Sequence, residues 1–260
     1  MGGISACLFL LLYAIGYGQQ FKLPLMLGFG SVDIRALVGT RASGVVGNVL
    51  FANMGKAFLS IFYVSYNSLL TSLLLAYEWN QYSQHKKGLR ISSNPKGSQR
   101  STYFLQLPYR FSIPFQVIWA LLHWLISQSI YLVSLERFRT TGEPSNYVFP
   151  TVPSFDDDGD NQILTCGYSP VGLGATLFCG LVALTCLKVL GRKAFAGLMP
   201  IAGSCSAAIS AACHVASDEP ENSSTKGVRW GVVSVQRGGI GHCSFSSLEV
   251  GEVESEQYYT

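Results

Sequence analysis

The residues best suited to chemistry are thiols and imidazoles in the C-terminal quarter of the chain. They are Cys205, Cys213, His214, His242 and Cys243. Thiolate and imidazole are preferred zinc ligands, and a cysteine close to a histidine can act as an activated nucleophile. The spacing argues against zinc, because structural zinc ligands usually stand two to four residues apart and adjacent residues rarely point at one ion. We therefore expect no metal or cofactor and treat unmodified thiols as the default, with S-acylation of Cys205 or Cys213 as an alternative.

Polar side chains also recur at helical spacing within two apolar stretches. The residues concerned are Tyr63, Asn67 and Thr71 in one stretch and Gln116, His123 and Ser127 in the other. In a membrane, such side chains face the interior of a helix bundle. They would form either a polar pathway, with His123 exchanging protons, or hydrogen bonds between helices. We favour the hydrogen bonds, because a pathway usually includes a buried carboxylate or a broken helix.

Four apolar stretches would position these residues, and they predict membrane spans over about 4–17, 56–77, 115–135 and 171–190. Only 13% of the 260 residues are charged and the mean hydropathy is +0.29, values typical of membrane proteins. A net charge of +3 without a recognition motif argues against nucleic-acid binding. The first stretch is short and could instead be a signal peptide, although no positive charge precedes it. The prediction is an all-α membrane protein with a bundle of about four transmembrane helices and a small cytoplasmic β-element.

The loops between these stretches differ in charge. The loop over residues 78–114 is rich in Lys and Arg, whereas residues 136–170 are acidic and include the run 156–160. Lys188, Arg192 and Lys193 follow the last stretch. Because basic loops stay in the cytoplasm, we expect a cytoplasmic C-terminus in the plasma membrane or the secretory pathway. The basic loop could also contact anionic lipid headgroups through residues 85–87, Arg90, Lys96 and Arg100.

Short runs of β-branched and aromatic residues predict strands in the cytoplasmic parts. They are Leu89–Ser92 and Thr102–Leu107 in the basic loop, and Trp230–Val235 and His242–Ser246 in the tail. A lone hairpin is marginally stable, so the tail strands are expected to pair with the loop strands. The predicted organisation is a membrane domain over residues 1–196 and a tail over 197–260, in which a short helix precedes the hairpin.

Several longer motifs extend in order from about residue 50 to about residue 250. They include Tyr66–Thr71, Gly88–Ser92, Gln99–Arg110, Leu122–Ser129, Cys166–Pro170, Gly203–His214, Trp230–Val233 and Gly241–Ser247. With these motifs the chain resembles the C-terminal part of a fungal family of multi-pass membrane proteins defined by a domain of unknown function. The similarity departs at the N-terminus, where family members are longer. The resemblance implies a membrane location and brings no activity, cofactor or catalytic residue.

The leading functional hypothesis is a non-enzymatic integral membrane protein that acts as a structural or accessory subunit. Its expected partners are the lipid bilayer, anionic headgroups at the basic loop and other membrane subunits. One alternative is a transporter or channel component, in which the two polar faces should line one water-filled cavity. The other is a thiol-dependent membrane enzyme, in which Cys205 or Cys213 should meet His214 or His242 in a cleft.

Overall fold

The computed structural model describes residues 36–38, 44–136, 162–214, 216–235, 240–255 and 257–259. The helices are α1 (Gly44–Asn80), α2 (Tyr109–Ser129), α3 (Pro170–Gly191) and α4 (Ser206–Ala212). The strands are β1 (Leu37–Val38), β2 (Lys87–Gly88), β3 (Arg90–Ile91), β4 (Arg100–Ser101), β5 (Ile130–Glu136), β6 (Gln162–Tyr168), β7 (Gly227–Val235) and β8 (Gly241–Ser246). The span predicted over 4–17 and most of the acidic segment over 136–170 lie outside the described residues.

The prediction of an all-α bundle of about four transmembrane helices is wrong. The described residues contain three sheets, and only α1 and α3 are long and apolar enough to cross a membrane by length and composition. The span predicted over 115–135 is interrupted, because α2 ends at Ser129 and the chain continues as β5. The sequence of β5 starts with Ile, Tyr, Leu and Val, which favour a strand once a partner strand is available. A hydropathy pattern alone does not distinguish such a strand from the last turns of a helix.

The two apolar helices differ in how well their ends were predicted. Helix α3 begins at Pro170, where proline suits the first helical turn, and ends one residue beyond the predicted limit. Helix α1 has 37 residues and begins at Gly44, well before the predicted start at Lys56. Residues 44–55 are therefore helical, although they were expected to belong to a loop.

The chain divides into two compact units, and the first comprises Met1–Tyr63 and Val117–Ala183. Its sheet has the strand order β1–β6–β5, all antiparallel, and β5 pairs with β6 from Ile130↔Tyr168 to Glu136↔Gln162. The amide of Asn48, which is 1% exposed, donates to the carbonyl of Leu164 at 3.1 Å. Cys166 is a fully buried free thiol that donates to the carbonyl of Asn48. The start of α1 is thus fixed on β6.

The second unit comprises Val64–Gln116 and Leu184–Thr260. One sheet has the order β2–β7–β8, and β3 pairs with β4 in a separate parallel pair. The core contains buried side chains from the turn after α1, the segment after α3 and the hairpin β7–β8, among them Tyr82, Met199, Val228, Trp230 and Cys243.

The hairpin predicted from the tail is present, and it pairs with the basic loop as expected. The loop strand that pairs with β7 is Lys87–Gly88, however, two residues before the predicted start at Leu89. The strand predicted over Thr102–Leu107 is wrong, because β4 covers only Arg100–Ser101 and turns follow. Gln106 adopts φ 61°, which is incompatible with a strand.

Candidate functional site

The last turn of α1 carries several ion pairs and hydrogen bonds to distant parts of the second unit. The carboxylate of Glu78 accepts from Arg90 Nε at 2.7 Å and lies 3.2 Å from a terminal nitrogen of Arg100. These side chains are 22–35% exposed, so the ion pairs are only partly screened by water. One acidic residue therefore holds two of the cations that the sequence assigns to the basic loop.

Arg90 and Arg100 also bind backbone carbonyls of the basic loop, and Arg90 contacts an aromatic ring there. Arg90 donates to the carbonyl of Ser101 at 2.8 Å, and its guanidinium lies 3.8 Å from the centroid of the Tyr103 ring, a cation–π geometry. Arg100 donates from Nε to the carbonyl of Gly88 at 3.0 Å. The guanidinium groups of Arg90 and Arg100 are consequently engaged in contacts within the protein.

A second set of contacts joins the same helical turn to the segment that follows α3. The indole of Trp79 donates to the carbonyl of Pro200 at 3.1 Å, and its ring packs edge-on against Phe245. The buried amide of Asn80 donates to the carbonyl of Gly197 and accepts from its N–H, both at 3.1 Å. A Cβ atom at Gly197 would lie 1.8 Å from Ser83 Oγ, so this close approach requires glycine.

The structure places the predicted polar-face residues at several levels of exposure. Tyr63 packs edge-on against Trp119 with ring centroids 5.4 Å apart. Asn67 and Thr71 are half-buried, and Gln116 is exposed. His123 and Ser127 are half-buried. The hydrogen bonds expected between the two polar faces stay a prediction.

The five thiols and imidazoles that the sequence singled out for chemistry all lie in the second unit. The rings of His214 and His242 meet edge-on with centroids 5.4 Å apart. The Ser244 hydroxyl in β8 lies within hydrogen-bond distance of the carbonyls of Ala212 and His214. Cys205 precedes α4 and is exposed. Burial raises the pKa of the Cys243 thiol, and partial burial of its sulfur also raises the pKa of Cys213, a residue that is exposed overall. Among the described residues, no three His, Cys, Asp or Glu side chains group in a way that could hold a metal ion.

Glu219 is a carboxylate that the sequence reading did not single out. It accepts from Ser246 Oγ at 2.5 Å and from the backbone N–H of Ser247 at 2.7 Å. Burial raises its pKa, but the hydrogen bonds from Ser246 and Ser247 and the charge of Lys226 outweigh burial and leave the pKa below its usual value. Glu219 thereby anchors the end of β8. No sequence signal marks it, whereas Glu78 could have been found as the one acid between an apolar stretch and a basic loop.

Comparison with known proteins identifies one family. A family model described as a domain of unknown function (DUF8419) matches residues 2–258, which includes the N-terminal residues that the resemblance left out. The match bears on neither the fungal origin nor the multi-pass topology that the resemblance implied. Neither a curated protein nor a solved structure matches the chain. The chain belongs to the family defined by this domain of unknown function.

Proposed function

We propose that the protein is an integral membrane protein in which α1 and α3 cross the bilayer and α2 crosses back between them. The observation that carries the proposal is the low burial of the apolar helices. In the most apolar 18-residue stretch of each helix, only 6% is buried in α3 and 17% in α1. Phe178, Leu181 and Val189 in α3 are exposed. A core helix of a soluble protein would be mostly buried, since exposed apolar surface costs about 25 cal/mol per Å² in water. A bilayer would cover these side chains.

Contacts at the start of the two helices support a common direction. Asn48 near the start of α1 binds Leu164 in β6, and β6 leads directly into α3. The last residue of α2, Ser129, accepts a hydrogen bond from Ser169, which precedes α3. The first turns of α1 and α3 and the last turn of α2 therefore share one end.

Contacts at the end of α1 and just after the end of α3 also support a common direction of these two helices. Trp79 and Asn80, at the end of α1, bind Pro200 and Gly197, which follow α3. If α1 and α3 run in the same direction through a bilayer, the chain between them must return. Helix α2 is less apolar than α1 and α3 and is not a candidate span by composition, but its 21 residues make it roughly 31 Å long, enough to cross the hydrocarbon core as the returning segment. The polar residues of α2 are compatible with a membrane crossing because α2 packs on a neighbouring helix. The ring of Trp119 in α2 contacts the ring of Tyr63 in α1.

Charge supports the orientation. Lys188, Arg192 and Lys193 stand at the end of α3, and the basic loop stands at the end of α1. The positive-inside rule then puts β7, β8 and the C-terminus on the cytoplasmic side. The protein would present a folded β-rich body to the cytoplasm and apolar helices to lipid or to other subunits.

We infer a structural or accessory role for this arrangement. An activated cysteine needs a lowered pKa, whereas burial raises the pKa of Cys243 and Cys213. The charged groups Glu78, Arg90 and Arg100 bind one another and the backbone. The polar groups with the most contacts therefore support the cytoplasmic body, which suits a subunit that binds lipid and other membrane proteins.

Alkaline extraction combined with glycosylation mapping tests the proposal. The full chain, expressed in a secretory-competent system, should stay in the membrane pellet at high pH. The native sequon at Asn222 should remain unmodified because it is cytoplasmic, and a sequon introduced near Gly142 should be glycosylated. Release into the alkaline supernatant would contradict membrane integration. A glycan on Asn222 would contradict the orientation alone.

A further inference from the structure

Six exposed side chains near the end of α1 combine apolar surface with positive charge. They are Phe104, Arg110, Arg192, Lys193, Leu198 and Ile201, and we call them the membrane-edge surface. Phe104 is 86% exposed, although phenylalanine is among the residues most often buried in proteins. Among the described residues, none of the three cations pairs with a carboxylate.

The first part of this surface is tied to α1 through Tyr103. Arg90 stacks on the Tyr103 ring and binds Glu78 in the last turn of α1. Phe104 follows Tyr103 directly, so it is held near the end of the helix while its ring points to the outside. Arg110 stands in the first turn of α2, a few residues further on, with its guanidinium 4.9 Å from the centroid of the Phe111 ring.

The second part is tied to the same helical turn by different bonds. Asn80 binds Gly197 and Trp79 binds Pro200, which fixes the segment between them. Met199 and Ala202 in this segment are buried, whereas Leu198 and Ile201 are 54% and 61% exposed. Arg192 and Lys193 follow the last residue of α3 directly.

We infer that the membrane-edge surface rests on an anionic lipid leaflet, with its apolar side chains among the headgroups and its cations on lipid phosphates and carboxylates. The inference rests on the proposed function, because the end of α1 must lie at a membrane boundary for these residues to reach lipid. Aromatic and cationic residues are the usual anchors at that depth. It also moves the lipid contact away from Arg90 and Arg100 in the basic loop, since both guanidinium groups are held by the single carboxylate of Glu78.

Photocrosslinking in vesicles tests the inference with the full chain. The photoreactive residue p-benzoylphenylalanine is placed singly at position 104, 198 or 258, and the protein is reconstituted into phosphatidylcholine vesicles with or without phosphatidylserine. Tyr258 is the matched control, because it is an aromatic residue that is 88% exposed in the same unit and does not belong to the membrane-edge surface. Position 181 in α3 reports membrane insertion.

We expect lipid adducts at 104 and 198 but not at 258, with a yield roughly two- to fivefold higher in phosphatidylserine and reduced by salt. Adducts at 181 with yields at 104 and 198 no higher than at 258 would overturn the inference and leave the membrane proposal standing. Lack of adducts at 181 would overturn the membrane proposal itself. Equal yields in neutral and anionic vesicles would overturn the anionic preference, and a single protein adduct at 104 in cells would assign the surface to a protein partner instead.

Discussion

Both ends of α1 are fixed by contacts with residues that are distant in sequence, but the two sets of contacts differ in charge. At the start, the Asn48 amide donates to the carbonyl of Leu164 and the Cys166 thiol donates to the carbonyl of Asn48, and all these groups are neutral. At the end, Glu78 binds Arg90 and Arg100, so the contacts are ionic. Salt screens partly exposed charges and has little effect on buried neutral hydrogen bonds. The stability of the contacts at the end of α1 should therefore depend on salt and pH more than the stability of those at its start.

The two hairpins also obtain their register from different sources. Strand β5 continues α2 without a break, and β6 leads into α3 after one residue, so the helices fix where the strands begin. The register of β7 and β8 is set by the aromatic core around Trp230 and shifts between Val232 and Ser234 at a bulge. A change in that core should therefore disturb the second hairpin and leave the first unaffected.

The largest effect should follow from Trp230→Ala. Trp230 is 7% exposed in the core of the second unit, and truncating a buried tryptophan costs about 3–5 kcal/mol. Thermal unfolding in detergent should show the loss, with early proteolysis of the C-terminal half. Tyr258→Ala, which removes an exposed ring, is the control and should change stability by less than about 0.5 kcal/mol. A wild-type melting curve for Trp230→Ala would show that this core does not hold the hairpin.

Asn48→Leu should have a smaller effect at the neutral end. The substitution leaves the Leu164 carbonyl without this donor, which costs about 1–3 kcal/mol. The loss should be the same at low and at high salt, because no charge is involved. Asn53→Leu is the matched control on the same helix, since the Asn53 amide is exposed and binds only locally. A strong salt dependence of the Asn48→Leu effect would contradict the neutral description of this end.

The sequence was sufficient for features that depend on local pattern. The apolar run of α3, Pro170 at its start and the hairpin in the tail all follow from periodicity and turn residues. It was not sufficient where a distant partner decides the structure. Ile130–Glu136 becomes a strand because β6 pairs with it, more than twenty-five residues later. Hydropathy over a short window carries no information on that pairing.

The same limit applies to the site. The basic loop was visible as charge, but which cations remain available depends on Glu78, and that depends on the folded loop. Asn48, Asn80 and Glu219 make long-range bonds to backbone groups, and no spacing in the sequence marks such partners. The sequence offered Arg90 and Arg100 among the cations that could contact lipid headgroups, whereas the structure shows both of them bound to Glu78.

Glu78→Gln should weaken the ionic end by about 1 kcal/mol at low salt. The substitution removes the charge that Arg90 and Arg100 share but keeps the shape of the side chain. Added salt should reduce the difference from wild type, because it already screens these partly exposed pairs in the wild-type protein. Glu249→Gln, an exposed carboxylate in the same unit, is the control in the same unfolding assay. A salt-independent loss would show that Glu78 acts through packing.

The smallest effect should come from Glu219 and should appear only in acid. Its pKa is below the usual value of 4.5 in the folded protein, so the folded state favours the ionised form. The stabilisation is fully present above the pKa of the unfolded chain and is lost as the pH falls through the lower pKa of the folded protein. Because Glu219 is only partly buried, the contribution is a fraction of ~1 kcal/mol. Glu219→Gln should thus be less stable than wild type at neutral pH, and the difference should shrink as the pH falls below the usual value of 4.5 and through the lower pKa of the folded protein. Glu221→Gln, which changes an exposed carboxylate, is the control. Melting temperatures measured across this range decide the point, and a gap that stays constant down to the lowest pH would mean that Ser246 and Ser247 bind the side chain equally well in either protonation state.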